Sequence, residues 1–128
     1  IIQAGADMLK DDPVSRLEIT NNCLWGILSR LTLLAPKVLL TTGGGYNPWS
    51  VSRLWAGFWA IINDIDPPSG YTDEARRLIK SLSWFRNEQV NSSLLSNLRD
   101  EKVPYRIKDE TLDLIKQMNF IHKSSIKI

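Results

Sequence analysis

Two stretches of the 128-residue chain carry side chains whose type and setting suit chemistry. The first is Thr41-Thr42-Gly43-Gly44-Gly45-Tyr46-Asn47-Pro48. Lys37 to Thr41 before it is an apolar, branched run of the kind that forms a buried strand, and an apolar pattern of helical period follows it. Gly43, Gly44 and Gly45 can take positive φ and let another group come close to the backbone. Asn47 is placed to cap a helix whose first position is Pro48. Tyr46 is then held at the carboxyl end of a strand, where open α/β sheets bind ligands. Such a turn reads as a plain connection, as a phosphate cradle, or as a mount for a phenol that donates to charge developing on a carbonyl oxygen. The phosphate reading is discounted, because neither Gly-Lys-Ser/Thr nor a spaced G-x-G-x-x-G is present. The other two remain open on this stretch alone.

The second stretch opens the chain. Ile1 to Leu9 reads as another short buried strand running into a turn, with the carboxylate of Asp7 at its carboxyl end. Gly5-Ala6-Asp7, Asp12-Pro13, Gly43 to Val51 and Arg53-Leu54-Trp55-Ala56-Gly57 together resemble the zinc-dependent histone deacetylases of class I type, and most closely the bacterial acetoin utilization deacetylases. The resemblance is in register over about the first seventy residues and loose beyond them.

It implies the C-terminal part of an arginase/deacetylase-like three-layer α/β fold, with a β-α-β unit of parallel strands followed by several helices. By position, Asp7 matches one of three protein ligands to a catalytic zinc. Tyr46 matches the tyrosine that polarises the acetamide carbonyl together with that zinc. Gly44 and Gly45 match glycines lining the channel for an acyl-lysine or similar chain, and Ile19 matches an apolar residue on the channel rim. Zinc with three protein ligands keeps a position for water and substrate, which suits amide hydrolysis. The substrate implied is an acetylated lysine, polyamine or small amine. Two departures stand out: Thr42 replaces the first of the family's four glycines, and Asp11 takes the place of a glycine before Asp12. Asp adopts left-handed geometry more readily than most residues, so a turn there is compatible with Asp11.

The family's Asp-x-His pair, with the other two ligands, and its His-His pair, which handles protons on the attacking water, lie ahead of this region. The chain has a single histidine, His122, near a basic end. His122 is expected to be exposed or at a helix C-terminus rather than a metal ligand. The expectation is therefore a C-terminal deacetylase portion that binds no zinc and is inactive alone, its partner being the missing N-terminal part or a second copy. The alternative is a non-catalytic, truncated relative acting as a structural or self-associating module. The chain opens without Met inside a strand pattern, which suggests a fragment or a trimmed piece.

Composition bounds the remainder. The chain is at most one domain, with residues 1–66 carrying the motifs and 67–128 a helical C-terminal part. A net charge of +2, from 16 basic and 14 acidic residues, is spread rather than run together and gives no nucleic-acid footprint. The single cysteine, Cys23, fits a reducing, cytoplasmic setting and is expected to be a buried structural thiol. No signal peptide or bilayer-spanning run is present in the sequence.

The elements that must position the two stretches follow from periodicity. Thr20 or Asn21 opens a helix with Leu24, Ile27, Leu28, Leu31 and Leu34 inward, ended by Pro36. The helix from Pro48 to about Ile62 is expected to be buried on more than one face, with Val51, Leu54, Trp55, Phe58, Ile61 and Ile62 on one side. Its aromatic residues read as core rather than as a stacking platform for bases. Arg53 on this helix is expected as an ion-pair or backbone-carbonyl anchor. After the Pro67-Pro68 break, Thr72 caps a helix with Ala75, Leu78, Ile79 and Leu82 inward. Trp84-Phe85 packs that helix onto the body, Leu94, Leu95 and Leu98 lie in a short helix, and Asp109 begins a last one. Two strands alone leave unpaired edges, so self-association is expected.

Overall fold

The computed structural model describes residues 1–84, 90–102 and 107–125, with side chains of the last helix described as far as residue 119. Strand β1 (Ile2–Ala4) and strand β2 (Leu40–Thr42) pair in parallel, with Ile2 opposite Leu40, Gln3 opposite Thr41 and Ala4 opposite Thr42. A parallel pair needs a long crossover. It is supplied by helix α1 (Asn21–Leu31) and a 3-10 turn over Thr32–Leu34. The Thr20 side chain caps α1 by accepting from the Cys23 amide.

The sheet half of the core differs from the periodic pattern in places. Leu24, Trp25 and Leu28 are buried, whereas Ile27 and Leu31 are exposed and Leu34 lies outside the helix, in the 3-10 turn. The inward stripe is set by Trp25, whose indole fills the notch that Gly57 leaves on the facing helix and donates to the Leu54 carbonyl at 3.0 Å. Cys23 correspondingly faces outward and its thiol is exposed, not buried. The run before β2 is also not a buried strand within this chain: Val38 and Leu39 are exposed because nothing among the described residues lies beyond the two-stranded sheet.

Helix α2 (Pro48–Ile62) has the expected bounds, with the Asn47 side chain accepting from the amides of Trp49 and Ser50. It serves two cores. Leu54 and Phe58 join Ala6, Leu9, Leu24, Trp25, Leu28 and Leu98, with Val51, Trp55 and Ile61 packed at the margin. Trp49 points into a second cluster with Ile79 and Leu94 and meets Trp84 edge-on, ring centroids 6.0 Å apart. Trp59 and Ile62 face outward.

The Pro67-Pro68 break leads to helix α3 (Asp73–Ser81), capped by Thr72, and to the short helix α4 (Ser92–Ser96). Of the expected inward positions on α3, Ile79 is buried and its carbonyl accepts from the Trp49 indole at 3.0 Å; Leu78 is exposed. Leu94 and Leu95 lie in α4 as expected, whereas Leu98 falls just beyond its end; Leu94 and Leu98 are buried. Phe85 and Pro104 lie outside the described residues, as does the His122 side chain. Helix α5 (Asp109–Ser125) leaves Leu112, Leu114, Ile115 and Met118 exposed. The architecture is α/β: a parallel strand pair with its crossover helix, followed by further helices. No helix among the described residues is long and apolar enough to cross a membrane.

Candidate functional site

Both chemical stretches leave the same end of the sheet. Hydrogen bonding continues past the strands, with the Ala6 amide donating to the Gly44 carbonyl at 2.6 Å. Asp7 and Tyr46 are therefore each carried out of the sheet's carboxyl end on adjoining turns. The Asp7 carboxylate lies directly against Gly44: a Cβ built there would collide with Oδ2 and Cγ of Asp7. At Gly5 a Cβ would stand 2.7 Å from Asp7 Oδ1. The glycines are thus needed to make room for the acid. Gly45 has φ of 149°, and a Cβ there would press on Val51 Cγ2 at 2.8 Å and Ala6 Cβ at 2.9 Å. The carboxylate is thus seated in the space that a side chain on Gly44 would fill.

Tyr46 has its ring about half exposed beside this acid-bearing turn. Its amide donates to Asp12 Oδ2 at 2.7 Å, and the Asn47 side-chain amide donates to the Asp11 carbonyl at 2.8 Å. In the sequence Asp12 stands out only as part of Asp12-Pro13, because its bond to Tyr46 spans the whole crossover. Asp64 is the non-glycine residue with positive φ among those described, so Asp11 makes its turn without left-handed geometry. Thr42, in place of a glycine, is simply the last residue of β2.

Asp7, Gly44, Gly45 and Tyr46 are therefore brought together. Ile19 lies alongside the loop that follows Asp7, its amide donating to the Met8 carbonyl at 3.3 Å and its backbone bridging to Leu9, and it packs half-buried on the main core. A catalytic zinc calls for three protein donors and an open position. Among the described residues no group of three His, Cys, Asp or Glu side chains can hold a metal ion. Asp7 offers one donor, so the described residues do not by themselves make a zinc site.

Residues 1–62 match the family model described as "Histone deacetylase domain". The crystal structure of an HDAC homologue from Aquifex aeolicus is similar over 90% of this chain and 32% of that one, with TM-score 0.76 and 24% identity. An HDAC homologue complexed with SAHA is similar over the same shares, with TM-score 0.75 and 24% identity. No curated protein matches the chain. The chain has a histone-deacetylase-like α/β fold, and it spans about a third of the length of these solved structures. The family match falls on the segment that holds Asp7, Gly44, Gly45 and Tyr46.

Proposed function

We propose that this chain contributes one part of a zinc-dependent deacylase centre hydrolysing the acetyl amide of a lysine, a polyamine or a small amine. The observation that carries the reading is the Asp7 carboxylate seated on Gly44, next to Gly45 and Tyr46, at the carboxyl end of two parallel strands. In this reading Asp7 is one zinc ligand, and the other ligands and the histidine base come from residues outside this chain. Zinc so completed would supply Lewis acidity and an activated water. Tyr46 donates its phenolic proton in a hydrogen bond to the carbonyl oxygen as negative charge gathers there. Gly44 and Gly45 bound the acyl channel, with Ile19 farther out.

A second reading, a non-catalytic module that assembles with itself, is favoured by a different observation: Leu33, Leu34 and Leu39 are exposed on the crossover leading into a sheet that has two strands among the described residues. One comparison separates the two. On its own the 128-residue chain is expected to bind no stoichiometric zinc. Joined to a segment supplying the remaining ligands and the histidine pair, it is expected to deacetylate an acetyl-lysine amide. That activity should vanish on Asp7→Ala and fall by about 10²–10³-fold on Tyr46→Phe. Full activity of the Tyr46→Phe protein would remove the phenol from the mechanism; no activity in any joined form would leave the assembly reading.

A further inference from the structure

The Tyr46 turn is held by the Asp7 loop, and chiefly through one buried side chain. Asp12 is 5% exposed, and both of its carboxylate oxygens are used: Oδ2 accepts the Tyr46 amide at 2.7 Å and Oδ1 accepts the Val14 amide at 2.9 Å. Its own amide donates to the Leu9 carbonyl at 3.0 Å, which fixes Asp12 within the loop that begins at Asp7. Next to it, the Asp11 carbonyl accepts from Asn47, the residue that also caps α2. Two successive residues of one turn therefore grip two successive residues of the other.

A buried carboxylate is unfavourable unless its oxygens are paired, and bonds from backbone amides to an ionised acceptor are among the stronger ones. Tyr46 has need of such a restraint. It follows Gly45, whose φ of 149° no side chain enforces, and its half-exposed ring has little packing to hold it. Because an error of about 1 Å in placing a reacting group costs on the order of 100-fold in rate, the anchor at the Tyr46 backbone bears on the chemistry.

We propose that Asp12 is a positioning residue that sets the Tyr46 phenol relative to Asp7, acting through the Tyr46 amide. The inference rests on the reading of Tyr46 as the carbonyl-binding phenol. Amide hydrogen exchange on the full 128-residue chain, read residue by residue by NMR, tests the clamp without any activity. Asp12→Ala removes both acceptors, whereas Asp12→Asn keeps one acceptor and can serve either Val14 or Tyr46 but not both. The Tyr46 amide is expected to exchange at least about tenfold faster in Asp12→Ala, and either the Tyr46 or the Val14 amide to do so in Asp12→Asn, while Leu54 and Phe58 in α2 keep wild-type rates. A Tyr46 amide unchanged in Asp12→Ala, or one that speeds up only in step with α1 and α2, overturns the proposal. In the completed hydrolase, Asp12→Ala is expected to lower kcat by about tenfold with KM nearly unchanged. An unaltered kcat likewise overturns it. Failure of the functional reading is separate: Tyr46→Phe would then leave hydrolysis intact, whatever the exchange rates show.

Discussion

At the scale of single residues, the candidate site depends on side chains that are absent. Gly44 lies where Asp7 needs its space, and this is a stronger requirement than φ, because only Gly45 among the three turn glycines has a positive φ. Gly44→Ala is accordingly expected to destabilise the chain by about 1–3 kcal/mol in urea titration, the usual cost of forcing extra volume into a filled position. It should also displace the Asp7 side-chain resonances in NMR. A variant of wild-type stability with Asp7 undisturbed would mean that the acid is not seated on the turn. Gly43 carries a related load: a Cβ there would stand 2.9 Å from Gly5 Cα, so the two glycine-bearing turns pass close together.

At the scale of elements, α2 is the organising unit. Its first turn is fastened by Asn47, its inner face carries Leu54 and Phe58, and its flank sends Trp49 to the Ile79 and Leu94 cluster. Its approach to α1 is made possible by Gly57, whose missing Cβ is the seat of the Trp25 ring. Gly57→Ala should therefore cost about 1–3 kcal/mol, whereas Gly26→Ala on α1, with open space around its Cβ, should gain about 0.5–1 kcal/mol. Paired thermal melts of the two variants check this; a shift of the same sign in both would contradict the packing. Helical period located both helices, but it could not say that Trp25 rather than Ile27 would face inward. Periodicity gives a face to within a residue or so, and the choice was made by the notch at Gly57 on the facing helix.

At the scale of the whole molecule, the segment after α4 returns to lock the first half. Arg53, 3% exposed, pairs with Asp100 at 2.7 Å and donates to the Asn97 carbonyl at 2.8 Å. Asp100 also accepts the Asn21 amide at 2.7 Å, and the Asn21 side chain donates to the Leu98 carbonyl, so the start of α1, the middle of α2 and residues 97–100 form one network. Arg99 stacks 5.6 Å from the Trp25 ring and binds Asp66 and the Pro67 carbonyl. Tyr71 lies at this junction, its hydroxyl donating to the Leu94 carbonyl at 3.1 Å. Burial pushes its pKa above the ordinary 10.0, while the neighbouring Arg53 guanidinium pulls the other way. The unfolded chain therefore ionises Tyr71 first, and its share of stability is present below pH 10.0 and lost as pH rises through the folded value. Tyr71→Phe is expected to cost about 1 kcal/mol at neutral pH through the lost hydrogen bond. The gap in melting temperature between the two proteins should narrow above about pH 10. A constant gap would show that Tyr71 ionises alike in both states.

Local physics in the sequence was enough to place β1, the glycine turn, the Asn47 cap with Pro48 behind it, and α2 to its ends, because each of these is decided by neighbours in the chain; it found the strand entering the turn but not where that strand starts. It also drew attention to Asp7 and Tyr46, which leave the same end of the sheet, and to Arg53 as an anchor, which pairs with Asp100. What it could not supply were the contacts between residues far apart: the Asp7 carboxylate on Gly44, the Tyr46 amide on Asp12, the Arg53 pair with Asp100, and the outward turn of Cys23. Those depend on how the crossover brings the two turns together and on how residues 97–100 fold back onto α1 and α2. Distance along the chain carries no record of either, so only the tertiary structure decided them.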